Sequence, residues 1–412
     1  MPDASVAEAL SRRIDDLIAA GQSPAGYFYE PYGVDHGYNF TVTLPDLADL
    51  HRLTGHPGLV TMVEKFADWY CLVRVREPDD AGWIYFSALS ARTISNSVGD
   101  YSQEPDRDVL ATLLLDEVPT LAPYFTSAEA RAAGRAEWVA DPDPVPPLVK
   151  PDTSPRIVLH ADLGESYPPE TLRTTWIERL PYVERDSFTE MRSDPRGQDY
   201  LFVRRPSYYA GSWFGPRETG LVRSGPAFLW HPACGMFVHS RNDADGRAWA
   251  TVLADGTSTA SSSLTAGYFI GEPERGIAIP PERRLPGGGP LGVRYADPAD
   301  LIRTDLVFTD VELRQRIEVA GQATQVIPLV VRTNDRLELA DGTALSPGQS
   351  VDTTTAGVTI RRGAVSLRLS WDESHPISLA ATTAAYFLDR SRSLHLLRVS
   401  FENTVEVRYV LA

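Results

Sequence analysis

Apolar residues change their repeat once along this chain, and the change falls at a run of prolines. Before it, Val6, Leu10, Leu17 and Ile18 recur at helical spacing until Gly21, and Leu44, Leu47, Leu50 and Leu53 do so again between Thr43 and Gly55. A third stripe, Leu59, Met62, Val63, Phe66, Tyr70 and Val73, follows Pro57. Such spacing places apolar side chains on one helix face. Beyond the prolines the repeat is two: Val365, Leu367, Leu369 and Trp371 alternate with Ser366, Arg368 and Ser370, and Val405, Val407, Tyr409 and Leu411 with Glu406 and Arg408. Alternation of this kind defines strands with one buried face.

The segment DPDPVPPLVKPDTSP at 141–155 separates the two patterns. Successive prolines fix φ and remove donors, so no helix continues through it. The predicted organisation is a helical domain over 1–140, a Pro-rich linker over 141–155 and an antiparallel β-sandwich domain over 156–412. At 412 residues the chain exceeds what one core usually organises, which agrees with two domains. Further helices are expected near 86–98 and 106–117, and from Thr126 to about Trp138. Thr43 with Asp46, and Thr126 with Glu129, have the spacing of capping boxes. Short connections then imply antiparallel helix hairpins. In the second region Asp255-Gly256, Asp341-Gly342 and Arg362-Gly363 are turn signals, and no convincing helical stripe interrupts the strands.

A net charge of −16 and a pI near 5.0 repel phosphate backbones and anionic membrane surfaces, so neither nucleic acid nor membrane is an expected partner. No run approaches the roughly 20 apolar residues of a membrane span, and the first residues lack the apolar stretch of a leader. The sequence reads as cytoplasmic. Cys71 and Cys234 fall in different regions and are not expected to pair. No Cys/His cluster has zinc-ligand spacing, and no cofactor is expected. LPGGGPLG, with glycines at 287–289, has no following helix and reads as a loop, not a phosphate cradle.

The phrases GVDHGYNFTVTLPDLADLHRLTGHPGL, YLFVRRPSYYAGSWFGP and GPAFLWHPACGMFVHS resemble the heparinase II/III-like and chondroitin AC-type polysaccharide lyases. The first looks like a loop and helix pair of their (α/α) toroid, the others like the opening strands of their β super-sandwich. The resemblance implies an α+β multidomain fold, with N-terminal (α/α) helical hairpins forming a partial toroid before an antiparallel β super-sandwich. A complete toroid needs about twice the helical length present, and the family's His-rich strand motif is absent, the nearest stretch being His239-Ser240-Arg241-Asn242-Asp243.

The resemblance also implies β-elimination next to a uronic acid in an oligosaccharide or polysaccharide. The proton α to the carboxylate is removed and the glycosidic oxygen expelled, which requires an enolate stabiliser, a base and an acid. Candidate catalytic residues are His36, Tyr38 and Asn39 in a Gly-flanked loop, Tyr208 behind Arg204-Arg205, and His231. A nearby arginine would favour the Tyr208 phenolate. Candidate substrate-binding residues are Tyr27 and Trp213 as stacking faces, with Trp230 beside them, and Arg92, Asn96 and Arg205 as carboxylate or hydroxyl ligands. His239 is a further candidate base. The functional expectation is that the loop near residue 36 and the strands near residue 208 share one groove, which a homo-oligomer would help to close.

Two other functions fit the same scaffold. A glycoside hydrolase would use two carboxylates, and Glu30, Asp35, Asp100 and Glu104 are the available acids. A noncatalytic glycan-binding protein would need only the groove.

Overall fold

The structure, a computed structural model, describes residues 4–30, 34–79, 82–84, 89, 109–140, 167–220, 222–241, 244–280, 285–346, 348–385 and 391–412. Contacts divide the chain into two compact units. One comprises Met1–Tyr29, Asp35–Leu72 and Asp100–Glu184, the other Glu30–Val34, Val73–Gly99 and Arg185–Ala412.

The first unit is helical. α1 spans Ala4–Ala20, α2 spans His36–Tyr38 and passes through a π-helical turn, Asn39–Thr43, into α3 at Leu44–Thr54, and α4 spans Pro57–Val73. This run starts at Asp35, whose Oδ1 accepts from the Tyr38 N–H at 3.1 Å. Thr43 is itself helical and makes no side-chain cap, because the chain has already been helical for two turns when it arrives. Gly55, at φ 65, ends α3 in the left-handed conformation that glycine adopts without a Cβ penalty.

Two 3₁₀ turns, Val109–Leu114 and Pro119–Tyr124, precede α5 at Ala128–Ala140, α6 at Glu170–Glu178 and α7 at Pro181–Glu184. The α5 cap is Ser127, whose Oγ accepts from the Ala130 N–H at 3.1 Å, not the neighbouring Thr126. The expected helix at 106–117 is the 3₁₀ turn where it is described. The one expected at 86–98 lies outside the described residues except Leu89, and 141–155 lies outside them entirely. α6 occupies a stretch read as β-sandwich. None of its side chains is fully buried, and its apolar residues, Leu172, Trp176 and Ile177, are only half-buried.

Aromatic rings fill the middle of this unit. Phe28 stacks on Phe66, Phe66 on Tyr70 and Phe40 on Tyr70, with centroids 4.9, 5.0 and 5.0 Å apart, and Tyr124 meets Tyr70 edge-on at 4.7 Å. Offset and edge contacts of this kind add to the area they bury.

The second unit opens with a small hairpin of β1 (Val75–Arg76) and β2 (Trp83–Ile84). The strands that follow are β3 (Phe188–Asp194), β4 (Gln198–Arg205), β5 (Tyr208–Phe214), β6 (Gly225–His231), β7 (Gly235–His239) and β8 (Ala250–Leu253). Then come β9 (Thr265–Ile270), β10 (Ile277–Ile279), β11 (Leu291–Ala296), β12 (Ile302–Phe308), β13 (Glu312–Arg332), β14 (Arg336–Leu339), β15 (Ala344–Leu345), β16 (Val351–Arg362), β17 (Val365–Ala385) and β18 (Arg392–Leu411).

Among the described residues, β3 to β18 form one antiparallel sheet whose main path runs β15-β14-β16-β17-β18-β13-β7-β6-β5-β4-β3. β13, β17 and β18 have 21, 21 and 20 residues, several times an ordinary strand of about 5–6. They stay paired by bending. Register shifts fall at Glu318/Gln322 on β13 and at Trp371/Ile377 on β17. Gly321 and Asn403 adopt φ 90 and φ 62 opposite one another, the Gly321 N–H donating to Asn403 Oδ1 at 3.0 Å. Bulges of this type increase twist and let one strand contribute to two layers. A single core therefore joins Tyr208, Phe237, Trp249, Ile317, Leu369 and Tyr409, as in a β-sandwich. Both cysteines are free.

Candidate functional site

In the helical unit, the loop nominated from sequence is built around Asn39. Its Nδ2 donates to the Phe28 carbonyl at 3.1 Å and its Oδ1 accepts from the Phe28 N–H at 2.9 Å. A fully buried amide satisfying both backbone groups of one residue is a structural pin. Tyr27, just before it, is also buried, with its ring against Trp69 at 5.4 Å and Tyr29 at 5.9 Å. It offers no open face for a sugar.

His36 is buried against Trp69, at 5.9 Å between centroids, and its Nε2 has no hydrogen-bond partner among the described residues. Burial lowers its pKa to about 3, so the imidazole is neutral near pH 7. Tyr38 differs. It is 46% exposed, on the turn that Asp35 caps and one residue ahead of the π-helical turn. π-Turns inside helices are frequent at functional sites.

In the β unit, the arginines and tyrosines of the Arg204-Arg205-Pro206-Ser207-Tyr208-Tyr209 stretch are buried. Arg205 is fully buried and donates to the carbonyls of Phe188 at 3.0 Å, Arg204 at 2.8 Å and Gly289 at 2.8 Å. Arg204 donates to the Tyr208 carbonyl at 3.1 Å. The Tyr208 hydroxyl points into the fold and donates to the Thr309 carbonyl at 2.7 Å. Adjacent strand residues alternate faces, yet Tyr208 and Tyr209 are both buried, because each face of β5 is covered. The expected activation of Tyr208 is also reversed. Burial raises its phenol above the usual range and outweighs Arg205, which acts the other way.

Trp213 and Trp230 are core residues as well. Trp213 stacks on Tyr200 at 6.2 Å, and Trp230 Nε1 donates to the Arg76 carbonyl at 3.0 Å. His239 is fully buried. His231 is half-buried at the β6–β7 turn. Its Nδ1 accepts from the Ala233 N–H at 3.1 Å, which puts the ring proton on Nε2 in the neutral form. Burial, then Arg204 and Arg362, lower its pKa to about 4. Arg92 and Asn96 lie outside the described residues. Of the nominated residues, Tyr38, His36 and Asn39 are thus brought together on one helical turn, while Tyr208, Arg205, His231 and Trp213 belong to the other unit.

Sequence reasoning missed a buried ionic cluster in the β unit. Glu77 is fully buried; its Oε1 accepts from the Met236 N–H at 3.0 Å and its Oε2 from Arg332 Nη2 at 3.0 Å, with Arg392 Nη2 at 3.4 Å. Asp79 accepts from Arg392 at 2.6 Å and lies 2.8 Å from Arg332 Nη1. Beside them Arg362 pairs with Asp335 at 2.8 Å and donates to the Cys234, Met236 and Val330 carbonyls. Three arginines and three carboxylates balance, with Asp79 at the exposed margin, and such pairing is the condition for burying the others at tolerable cost. No local pattern announces it, since Glu77 and Arg332 are 255 positions apart. Among the described residues, no group of three His, Cys, Asp or Glu could hold a metal ion, and no helix is long and apolar enough to cross a membrane.

No protein-family model matches the chain, and no curated protein matches it. Among solved structures it is similar to a heparinase III, at 9% identity over 99% of this chain and 55% of that one, with a TM-score of 0.49. It is also similar to a mutant heparan sulfate lyase from Pedobacter heparinus, at 9% identity over 98% and 55% of the two chains and a TM-score of 0.44. A third is the chondroitin AC lyase of Streptomyces coelicolor A3 in complex with chondroitin sulphate, at 13% identity, 96% and 56% coverage and a TM-score of 0.33. The chain spans about 55% of the length of the first two.

Proposed function

We propose that this chain is a carbohydrate-active protein of polysaccharide lyase type, acting by β-elimination beside a uronic acid. The observation that carries the reading is Tyr38, a tyrosine 46% exposed on a capped helical turn. It supports a reaction in which the phenol protonates the departing glycosidic oxygen once a base has taken the α-proton. Arg92 and Asn96 remain the proposed ligands of the uronate carboxylate. The order of a helical unit and then a large antiparallel sheet, together with the sequence phrases quoted above, supports the same class.

A second reading rests on a separate observation. Asn39 and Tyr208, two candidate catalytic groups, are buried and committed to backbone partners, which favours a glycan-binding protein without turnover. One experiment separates the readings. A panel of uronate-containing and neutral polysaccharides is incubated with the protein and assayed for new conjugated absorbance and for reducing ends. Absorbance that rises with native protein and falls at least about a hundredfold in rate in Tyr38→Phe supports the lyase. Reducing ends without a chromophore point to a hydrolase, and binding with neither product leaves the noncatalytic reading.

A further inference from the structure

The outer face of the long strands carries arginines in an arrangement that a merely solvated face avoids. Arg336 on β14 lies directly opposite Arg361 on β16. Arg361 pairs with Ser366, and Arg368, two residues on, stands opposite Thr359 of β16 and Val410 of β18. Arg408 of β18 stands opposite Ser370 and, on its other side, directly opposite Arg314 of β13. Residues opposite one another share a face, so Arg336, Arg361, Arg368, Arg408 and Arg314 form one oblique band across β14, β16, β17, β18 and β13.

Directly opposed like charges destabilise a sheet, and here there are two such pairs. Blunting of a sheet edge by charge accounts for β14 at most, because β16, β17, β18 and β13 are interior strands. Carboxylates neutralise part of the band. Glu338 lies 3.0 Å from Arg361, Glu406 2.9 Å from Arg408 and Glu312 3.2 Å from Arg314, which also meets Glu272. Among the described residues Arg336 and Arg368 have no carboxylate partner, in a protein whose net charge is −16.

A depression of about 710 Å³ opens beside these residues. Arg361, Arg368 and Arg408 stand in its wall, with Glu338 and Asp372 as its acids, and Ala340, Gly342, Ala356 and Gly357 leave the space unfilled. Gly357 is obligatory there, since a Cβ would run into the Leu369 carbonyl where β17 bulges. By strand spacing Arg336 and Arg368 are roughly 12 Å apart, a separation that alternate sugars of an extended chain can meet.

We propose that this band is a docking site for a linear, carboxylated polysaccharide, with Arg336 and Arg368 each taking one carboxylate. The proposal rests on the glycan-acting reading and assigns it a second site, away from the Tyr38 turn. Guanidinium groups suit planar carboxylates through paired hydrogen bonds. The overall negative field disfavours denser polyanions such as nucleic acid.

The test uses the full chain and calorimetric titration with three probes: polygalacturonate, the neutral polymer dextran and single-stranded poly-dT. Arg336→Thr/Arg368→Ser is compared with native protein and with Arg196→Ser, which removes a surface arginine paired with Glu218 elsewhere. The expected result is binding of polygalacturonate that weakens with salt and falls roughly tenfold or more in the double variant, with Arg196→Ser unchanged. The unfolding midpoint of the double variant should be equal or higher, because a repulsion has been removed. Equal affinity in the double variant, no binding by native protein, equal binding of dextran, or tighter binding of poly-dT overturns the proposal. A lowered midpoint in that variant is resolved by Arg368→Lys, which keeps the charge and must recover most of the affinity. Turnover is read on the same samples. Arginine-dependent binding without a chromophore defeats the lyase reading and leaves the docking site standing, whereas turnover with unchanged binding does the reverse.

Discussion

The Glu77 carboxylate occupies the space that any side chain at Gly235 would fill: a Cβ built on Gly235 collides with both of its oxygens. Gly235 also has φ 74, so glycine is required there twice over. Glu77 is then positioned to take the Met236 N–H and the Arg332 and Arg392 guanidiniums. Glu77→Ala should cost about 3–5 kcal/mol, the usual loss when one member of a buried ionic cluster is removed. Gly235→Ala should also destabilise. In the Glu77→Ala background its penalty should shrink, because the colliding group has gone and only the backbone strain remains. A double-mutant cycle by denaturant unfolding reads this coupling directly, and additive losses would contradict the packing.

Tyr208 makes an opposite prediction for catalysis. Its hydroxyl is committed to the Thr309 carbonyl, and burial holds its phenol above the usual range. Tyr208→Phe should therefore cost about 1 kcal/mol of stability and leave turnover unchanged. The same burial applies to Tyr268 and Tyr409, and raises Tyr295 to about 12. A tyrosine with a raised folded pKa contributes stability at neutral pH that is lost as pH rises past its unfolded value of about 10. Alkaline titration followed by phenolate absorbance should thus show one group of tyrosines ionising normally and a second appearing only with unfolding.

These residues mark where sequence reasoning stops. The stripe of α4, the Gly55 stop and the alternation in β17 and β18 are set by neighbours in sequence, and each was legible. Gly256, Gly342 and Gly363 all adopt positive φ at the turns their Asp-Gly and Arg-Gly pairs announced. Caps were less secure: Asp35 and Ser127 do what Thr43 and Thr126 were expected to do, a shift that depends on where the preceding turn begins. Burial of a polar residue was not legible at all. Arg205 and Tyr208 look reactive in a list of residues, but Gly289 and Thr309, about a hundred positions away, supply their partners. The Glu77 cluster and the arginine band are likewise products of strand register, which alternation alone does not specify.

Asn39 and Tyr38, neighbours in sequence, should separate cleanly in experiment. Asn39→Ala strands a buried N–H and a buried carbonyl of Phe28, at about 2–4 kcal/mol for the two. Tyr38→Phe removes a hydroxyl from an exposed ring and should alter stability by no more than about 0.5 kcal/mol. Thermal unfolding of the two variants checks the contrast. If Tyr38→Phe unfolds as early as Asn39→Ala, any loss of turnover in it is a folding effect and not evidence for proton transfer.

Acid should destabilise the helical unit through His36. Its pKa is about 3 when folded, against about 6.5 in an unfolded chain. The unfolded state therefore takes up a proton first as pH falls. Stability is complete above about pH 6.5 and declines progressively from there toward pH 3, by several kcal/mol in the limit. His231, with a folded pKa of about 4, contributes in the same direction over a narrower window, but it is only half-buried and solvent screening reduces its share. His36→Gln keeps a polar side chain of similar reach without the titration, and should flatten the dependence of the unfolding midpoint between pH 7 and pH 4. His231→Gln should flatten it less. A native-like slope in His36→Gln would mean that the imidazole is not held neutral against Trp69.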